Sequence, residues 1–237
     1  MQRVRLVHGF TQTSRSWEPL EAKLPRDWDV QAIEVPDGLD FVATAGTVGV
    51  RGGHGTWVGY SMGGRLCLRL ALDRADLVER LVLVSASPGI ESPGEREARL
   101  ASDARLVEDL ERDGVEKFID RWLSQRLFET LPRDAAMVDD RLRRNSVHRL
   151  AHQLRALGQA AHEPMWDQLG RLDMPVLVVS GQWDQAYTKI AERMGAAIGA
   201  NADVVSMEKA GHALHLERPA ELAKLLASWL PSDADSE

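Results

Sequence analysis

A serine flanked by glycines stands at Gly59-Tyr60-Ser61-Met62-Gly63, after the apolar run Thr56-Trp57-Val58 and before an apolar helical run that continues to Leu72. In that setting the serine sits on a sharp strand-to-helix turn, with its hydroxyl pushed out at the top of a sheet. The glycines let strand and helix approach without a Cβ clash. A serine hydroxyl is a poor nucleophile and a poor base until an imidazole takes its proton, and that imidazole needs an anion on its far nitrogen. Both partners follow in the required order. Asp184 lies just beyond the apolar run Val176-Leu177-Val178-Val179-Ser180, and His212 lies just beyond the last apolar run, in Met207-Glu208-Lys209-Ala210-Gly211-His212. Ser61, Asp184 and His212 are therefore the candidate catalytic set.

A fourth element lies near the start. Arg5-Leu6-Val7-His8-Gly9-Phe10 ends a strand with His-Gly, so the backbone N–H groups of Phe10 and Met62 are candidates for an oxyanion hole. Each residue also has a plainer reading. Ser61 is a competent helix N-cap and Asp184 a competent turn residue, but their order along the chain favours catalysis. His8, His54 and His215 read as structural and Trp17 as core. The seven histidines show no zinc-site spacing, and no cofactor is expected. Cys67 lies in an apolar run and reads as buried packing.

Short apolar runs alternating with helix-like segments must position these residues, the pattern of a mostly parallel sheet covered by helices. Strands are expected at 4–7, 30–35, 56–60, 81–85, 176–180 and 203–206, each buried on both faces. Helices fit 17–23, 62–73, 190–198 and 220–230, with Pro219 suited to the first turn of the last. Glycines at 46, 49, 52, 53 and 55 leave room for only a short helix near 41–45, followed by a loop. Between Pro88 and Met174 the strand signal disappears and charged residues recur at helical spacing, over 95–111, 115–127 and 141–157. That insertion reads as a cap above the strand ends. The expected organisation is a core of 1–87 and 172–230, a helical cap of 88–171, and a flexible acidic tail of 231–237.

Composition narrows the function class. At 237 residues the chain is long enough for one substantial core, and a net charge of -7 argues against nucleic acid as the main partner. No apolar run reaches the roughly 18 residues of a membrane span, and the first residues lack a signal-peptide apolar stretch. A cytoplasmic protein, monomeric or weakly homo-oligomeric, is expected.

The set and its order resemble the α/β-hydrolase family over nearly the whole chain. The family's usual N-terminal strand pair is absent, so the resemblance implies a reduced, mostly parallel sheet with a helical cap. Tyr60-Ser61-Met62-Gly63-Gly64-Arg65, the run Glu95-Arg96, Arg99 and Ser102-Asp103, then Phe118-Ile119-Asp120-Arg121-Trp122 and Leu142-Arg143-Arg144-Asn145 narrow it further. They are similar to one branch, the 2-succinyl-6-hydroxy-2,4-cyclohexadiene-1-carboxylate synthases of menaquinone biosynthesis. The resemblance implies a triad that removes a substrate proton and expels pyruvate, with no cofactor or metal.

It also implies a small substrate carrying several carboxylates, which guanidinium groups pair with bidentately. Arg65 lies four residues after Ser61, on the same helix face one turn on. Arg99 and Arg143 would reach down from the cap, the third in a register shared with Arg141 and Arg144, while Tyr60 and Trp122 would line the pocket. The plainer reading of each arginine is a solvated or ion-paired surface residue. Two departures stand out. Pro36-Asp37-Gly38-Leu39 replaces the family's Pro-Gly-His-Gly turn, and Gln185-Ala186-Tyr187 follows the acid where the branch often has x-Lys-Phe. A serine hydrolase acting on an ester or carbon–carbon bond is the alternative, with Ser61 as covalent nucleophile. A catalytically silent receptor on the same fold has no need of the complete set.

Overall fold

The computed structural model describes residues 1–230, so the acidic tail at 231–237 lies outside the described residues. The chain begins β1 (Arg3–Val7), α1 (Glu18–Glu21), β2 (Asp29–Ile33), α2 (Phe41–Gly52), β3 (Gly55–Tyr60), α3 (Met62–Asp73) and β4 (Val78–Val84). Three helices follow: α4 (Pro93–Leu123), α5 (Val138–Arg144) and α6 (Val147–Leu157). It closes with β5 (Val176–Gly181), α7 (Gln185–Ile198), β6 (Ala202–Met207), α8 (Leu214–Glu217) and α9 (Pro219–Trp229).

The six strands form one sheet in the order β2-β1-β3-β4-β5-β6, and every pairing is parallel. Alternation along the strands divides the core into two apolar layers. Val82, Val84, Leu177 and Val179 face one layer, which continues into α4, α6 and α9, while Leu81, Leu83, Val176 and Val178 face another built on α2, α3 and α7. β3 and β5 are buried throughout. β2 and β6 are not, contrary to the expectation for every strand: each is an edge strand with a single sheet neighbour, and Val204 on β6 is open to solvent.

The direction of sheet growth reverses at β1, which has β2 on one side and β3 on the other. At such a switch point the loops leaving the two strands run apart and open a crevice at the carboxyl edge. The loop carrying Phe10 leaves β1 and the turn carrying Ser61 leaves β3, so both stand at this crevice.

Three helices depart from the sequence expectation. α2 runs its full twelve residues rather than stopping near residue 45. Two of its three glycines serve close packing: a Cβ on Gly49 would stand 2.4 Å from the Leu70 side chain, and one on Gly52 would meet Trp57 and Ile33, while Gly46 faces open space. Tertiary approach outweighs the helix propensity lost. The segments expected at 95–111 and 115–127 form one long element broken at Gly114, whose φ of 79° interrupts the helix where the sequence pattern also lapses. The helix expected at 141–157 is two. Asn145 is extended, its amide donating to the carbonyls of Thr11 and Arg141, and Ser146 caps α6 by accepting from the Arg149 N–H.

Candidate active site

Ser61 has φ 51° and ψ −108°, a left-handed backbone that a serine adopts only under constraint. The constraint is the tight turn from β3 into α3. A Cβ on Gly59 would stand 2.5 Å from Gly63 O, and a Cβ on Gly63 would stand 2.1 Å from Val7 O, so no other residue fits either position. The Ser61 N–H is held by the Val84 carbonyl at 2.9 Å.

Two further loops converge on it. Asp184 follows β5 and caps α7, one carboxylate oxygen accepting from the Tyr187 N–H. The other accepts from His212 Nδ1 at 2.7 Å, and His212 Nε2 stands 3.3 Å from Ser61 Oγ. The far nitrogen of the imidazole is thus occupied by the acid and the near one faces the serine. The His212 loop is fixed from behind by Glu217, whose carboxylate accepts from the N–H groups of Gly211 (2.7 Å) and Ala213 (3.0 Å). It is also joined to the acid loop, with the Trp183 N–H donating to the Ala210 carbonyl. The rings of Tyr60, Phe128 and Tyr187 surround the imidazole, which is 2% exposed.

Ser61 and His212 open onto a cavity of about 210 Å³. Phe10 and Met62 line it beside the serine, and Tyr60, Arg65, Arg99 and Trp122 contribute to its wall, as the sequence reading expects. The helices between β4 and β5 cover it, supplying Asp103, Leu106, Gln153 and Leu157. Arg65 is buried and donates to the Leu157 carbonyl at 2.7 Å, while its Nε has no partner. Burial draws its guanidinium down to about 10, which leaves it cationic at neutral pH. Arg99 is steered by Asp103 (2.9 Å) and Gln159 (3.2 Å). Burial raises the Asp103 carboxyl, against the opposing pull of Arg99.

Arg143 is the exception. Its side chain is 75% exposed and pairs loosely with Asp139 on the same helix, outside the cavity. Two residues on a helix are separated by about 200° of rotation, so the inward position belongs to Arg141. Arg141 is 2% exposed and donates to the Ala136 carbonyl and to Thr11 Oγ1. It does not line the cavity, either; it braces the loop that carries Phe10. Sequence reading also passes over Gln153 and Tyr187, both on the wall. Gln153 carried a signal, because it lies in the buried stripe Leu150, Leu154, Leu157 of α6, where an apolar residue is expected. Among the described residues, no group of three or more His, Cys, Asp or Glu is arranged to hold a metal, and no helix is long and apolar enough to cross a membrane.

A profile of the alpha/beta hydrolase family matches residues 6–225. The 2-succinyl-6-hydroxy-2,4-cyclohexadiene-1-carboxylate synthase of Enterobacter sp. (strain 638) is 30% identical over 241 residues, 94% of this chain and 90% of its own. The enzyme of the same name from Klebsiella pneumoniae is 26% identical, across 95% of this chain and 92% of its own. Among solved structures, MenH from S. aureus superposes with a TM-score of 0.89 at 26% identity, covering 97% of this chain and 93% of its own. Strand order, the serine turn and the full-length match agree: the chain belongs to the alpha/beta hydrolase family.

Proposed function

We propose that this chain is a 2-succinyl-6-hydroxy-2,4-cyclohexadiene-1-carboxylate synthase of menaquinone biosynthesis, acting as a carbon–oxygen lyase, with residues 88–171 as its cap. One observation carries the reading beyond kinship. The hydrogen-bonded run Asp184–His212–Ser61 opens onto a cavity whose wall holds a buried cation, Arg65, with a second arginine, Arg99, beside it. Such a wall suits a small substrate with more than one carboxylate.

The chemistry follows from the contacts. Asp184 holds His212 with its Nδ1 protonated and Nε2 free to take the Ser61 proton. Ser61 then removes a proton from a substrate carbon activated by a neighbouring carbonyl. The Phe10 and Met62 N–H groups stabilise the enolate oxygen as charge builds on it. The carbon's electron pair returns as ring unsaturation and breaks the bond to the enolpyruvyl oxygen. The released group takes up a proton and tautomerises to pyruvate. No covalent enzyme intermediate is required.

The test is pyruvate release from the enolpyruvyl substrate, followed by NADH oxidation through a coupled lactate dehydrogenase. Wild-type protein releases it and Ser61→Ala does not. The second reading rests on the same serine geometry, which also serves covalent attack on an ester. A burst with p-nitrophenyl acetate and no pyruvate release would select a hydrolase instead.

A further inference from the structure

The cavity wall contains hydrogen-bonding atoms that the protein itself leaves unpaired. Gln153 is 1% exposed and lies on the wall, yet neither its Oε1 nor its Nε2 has a partner. Trp122 Nε1, on the same wall, is also unpaired. Burying a primary amide without partners is costly, and a helix face otherwise made of leucines and Ala151 has no structural need for one. The position is one where a leucine or methionine would stabilise the ligand-free fold. A polar residue held there against stability is a mark of recognition.

The amide is also specific about what it accepts. It offers donors on Nε2 and an acceptor on Oε1. A hydroxyl both donates and accepts, so one hydroxyl satisfies both ends. A carboxylate only accepts, and its charge would face the Oε1 lone pairs. The arginines and the glutamine therefore divide the cavity: Arg65 and Arg99 suit anionic groups, while Gln153 suits a neutral hydroxyl.

We propose that Gln153 is a specificity-determining residue that reads a ring hydroxyl of the substrate and rejects a carboxylate at that point. The identity of the hydroxyl rests on the synthase reading, whose product name carries a 6-hydroxy group next to the ring carboxylate. The recognition itself rests on the cavity alone.

The two are separated by a binding experiment that needs no turnover. Trans-2-hydroxycyclohexane-1-carboxylate and cyclohexane-1-carboxylate are titrated calorimetrically into wild type, Gln153→Leu and Gln153→Met. Wild type binds the hydroxylated ring about tenfold more tightly. Both variants bind the two rings within about twofold of each other, and neither melts below wild type when ligand-free. A wild type that binds neither ring, or shows no preference, overturns the proposal. So does a preference that survives in both variants, or an equal loss of both ligands with a lowered melting temperature, which marks a packing role. Pyruvate release by the wild type is scored separately. Its absence would sink the synthase reading while the hydroxyl preference stood.

Discussion

Arg65 is a charge placed in the interior with one backbone carbonyl and no hydrogen-bonded carboxylate of the protein to meet it. Charges in that state are destabilising unless a ligand completes them. Arg65→Met should therefore lower kcat/KM for a carboxylate-bearing substrate about ten- to a hundredfold, while the ligand-free protein melts no lower than wild type. Equal stability loss and unchanged kinetics would make it a structural residue. Asp184→Asn tests the opposite kind of group, one whose value lies in fixing a tautomer. It should reduce kcat on the order of 10³- to 10⁴-fold with little change in KM, read by steady-state kinetics. Ser61, Asp184 and His212 were legible as candidates because the chemistry sets their types and the strand topology sets their order along the chain. Gln153 was passed over, because its place in the Leu150, Leu154, Leu157 stripe becomes a sign of function only once the helix is seen to face the cavity. The third arginine failed for a related reason: motif similarity fixed it only to within a residue or two, and one step along a helix turns a side chain about 100°.

At the scale of elements, the loop after β1 is held by helices far along the chain. Arg141 donates to Thr11 Oγ1, the Asn145 amide to the Thr11 carbonyl, and Thr13 Oγ1 to Asp140. Thr11 itself has φ 64°, a left-handed conformation that those three contacts overdetermine. Phe10 precedes it directly, so the aim of the Phe10 N–H depends on α5. If the Phe10 N–H is the oxyanion donor of the proposed mechanism, Asn145→Ala should lower kcat about tenfold while KM moves less, since a misdirected donor is missed chiefly when charge develops. A change confined to KM would show instead that the contact serves substrate entry. None of this was readable from sequence, because no motif or apolar period marks contacts between a loop and helices more than a hundred positions on. The central strands and the helices after β3 and β6 were readable, since their apolar runs are dictated by burial, and the edge strands β2 and β6 were placed although they stay partly open to solvent. α2 was misread for the converse reason: Gly49 and Gly52 report on the neighbours Leu70 and Trp57, not on the helix itself.

At the scale of the whole molecule, two buried histidines outside the Asp184–His212–Ser61 run tie stability to pH. His162 stacks on Phe41 with ring centroids 4.0 Å apart, and its Nδ1 contacts the Glu163 carbonyl while Nε2 has no partner. Burial, helped by the nearby Arg65, lowers it to about 4. His215 lies between Trp17 and Tyr60 with both nitrogens unpaired, and burial again places it well below its ordinary value. The unfolded chain protonates each near pH 6.5, whereas the folded chain resists. Below about pH 6.5 the unfolded state therefore binds more protons, and stability falls with pH. For His162 the fall ends near pH 4, where the native state also titrates, and totals on the order of 3 kcal/mol. Urea unfolding between pH 7 and pH 4.5 should show a slope of up to two protons. His162→Phe keeps an aromatic ring against Phe41 and abolishes the titration, so it should remove about one proton from that slope while changing stability at pH 7 only modestly. An unaltered slope in that variant would mean that His162 opens to water before it titrates, and that the acid sensitivity of the fold resides in His215 and the carboxylates.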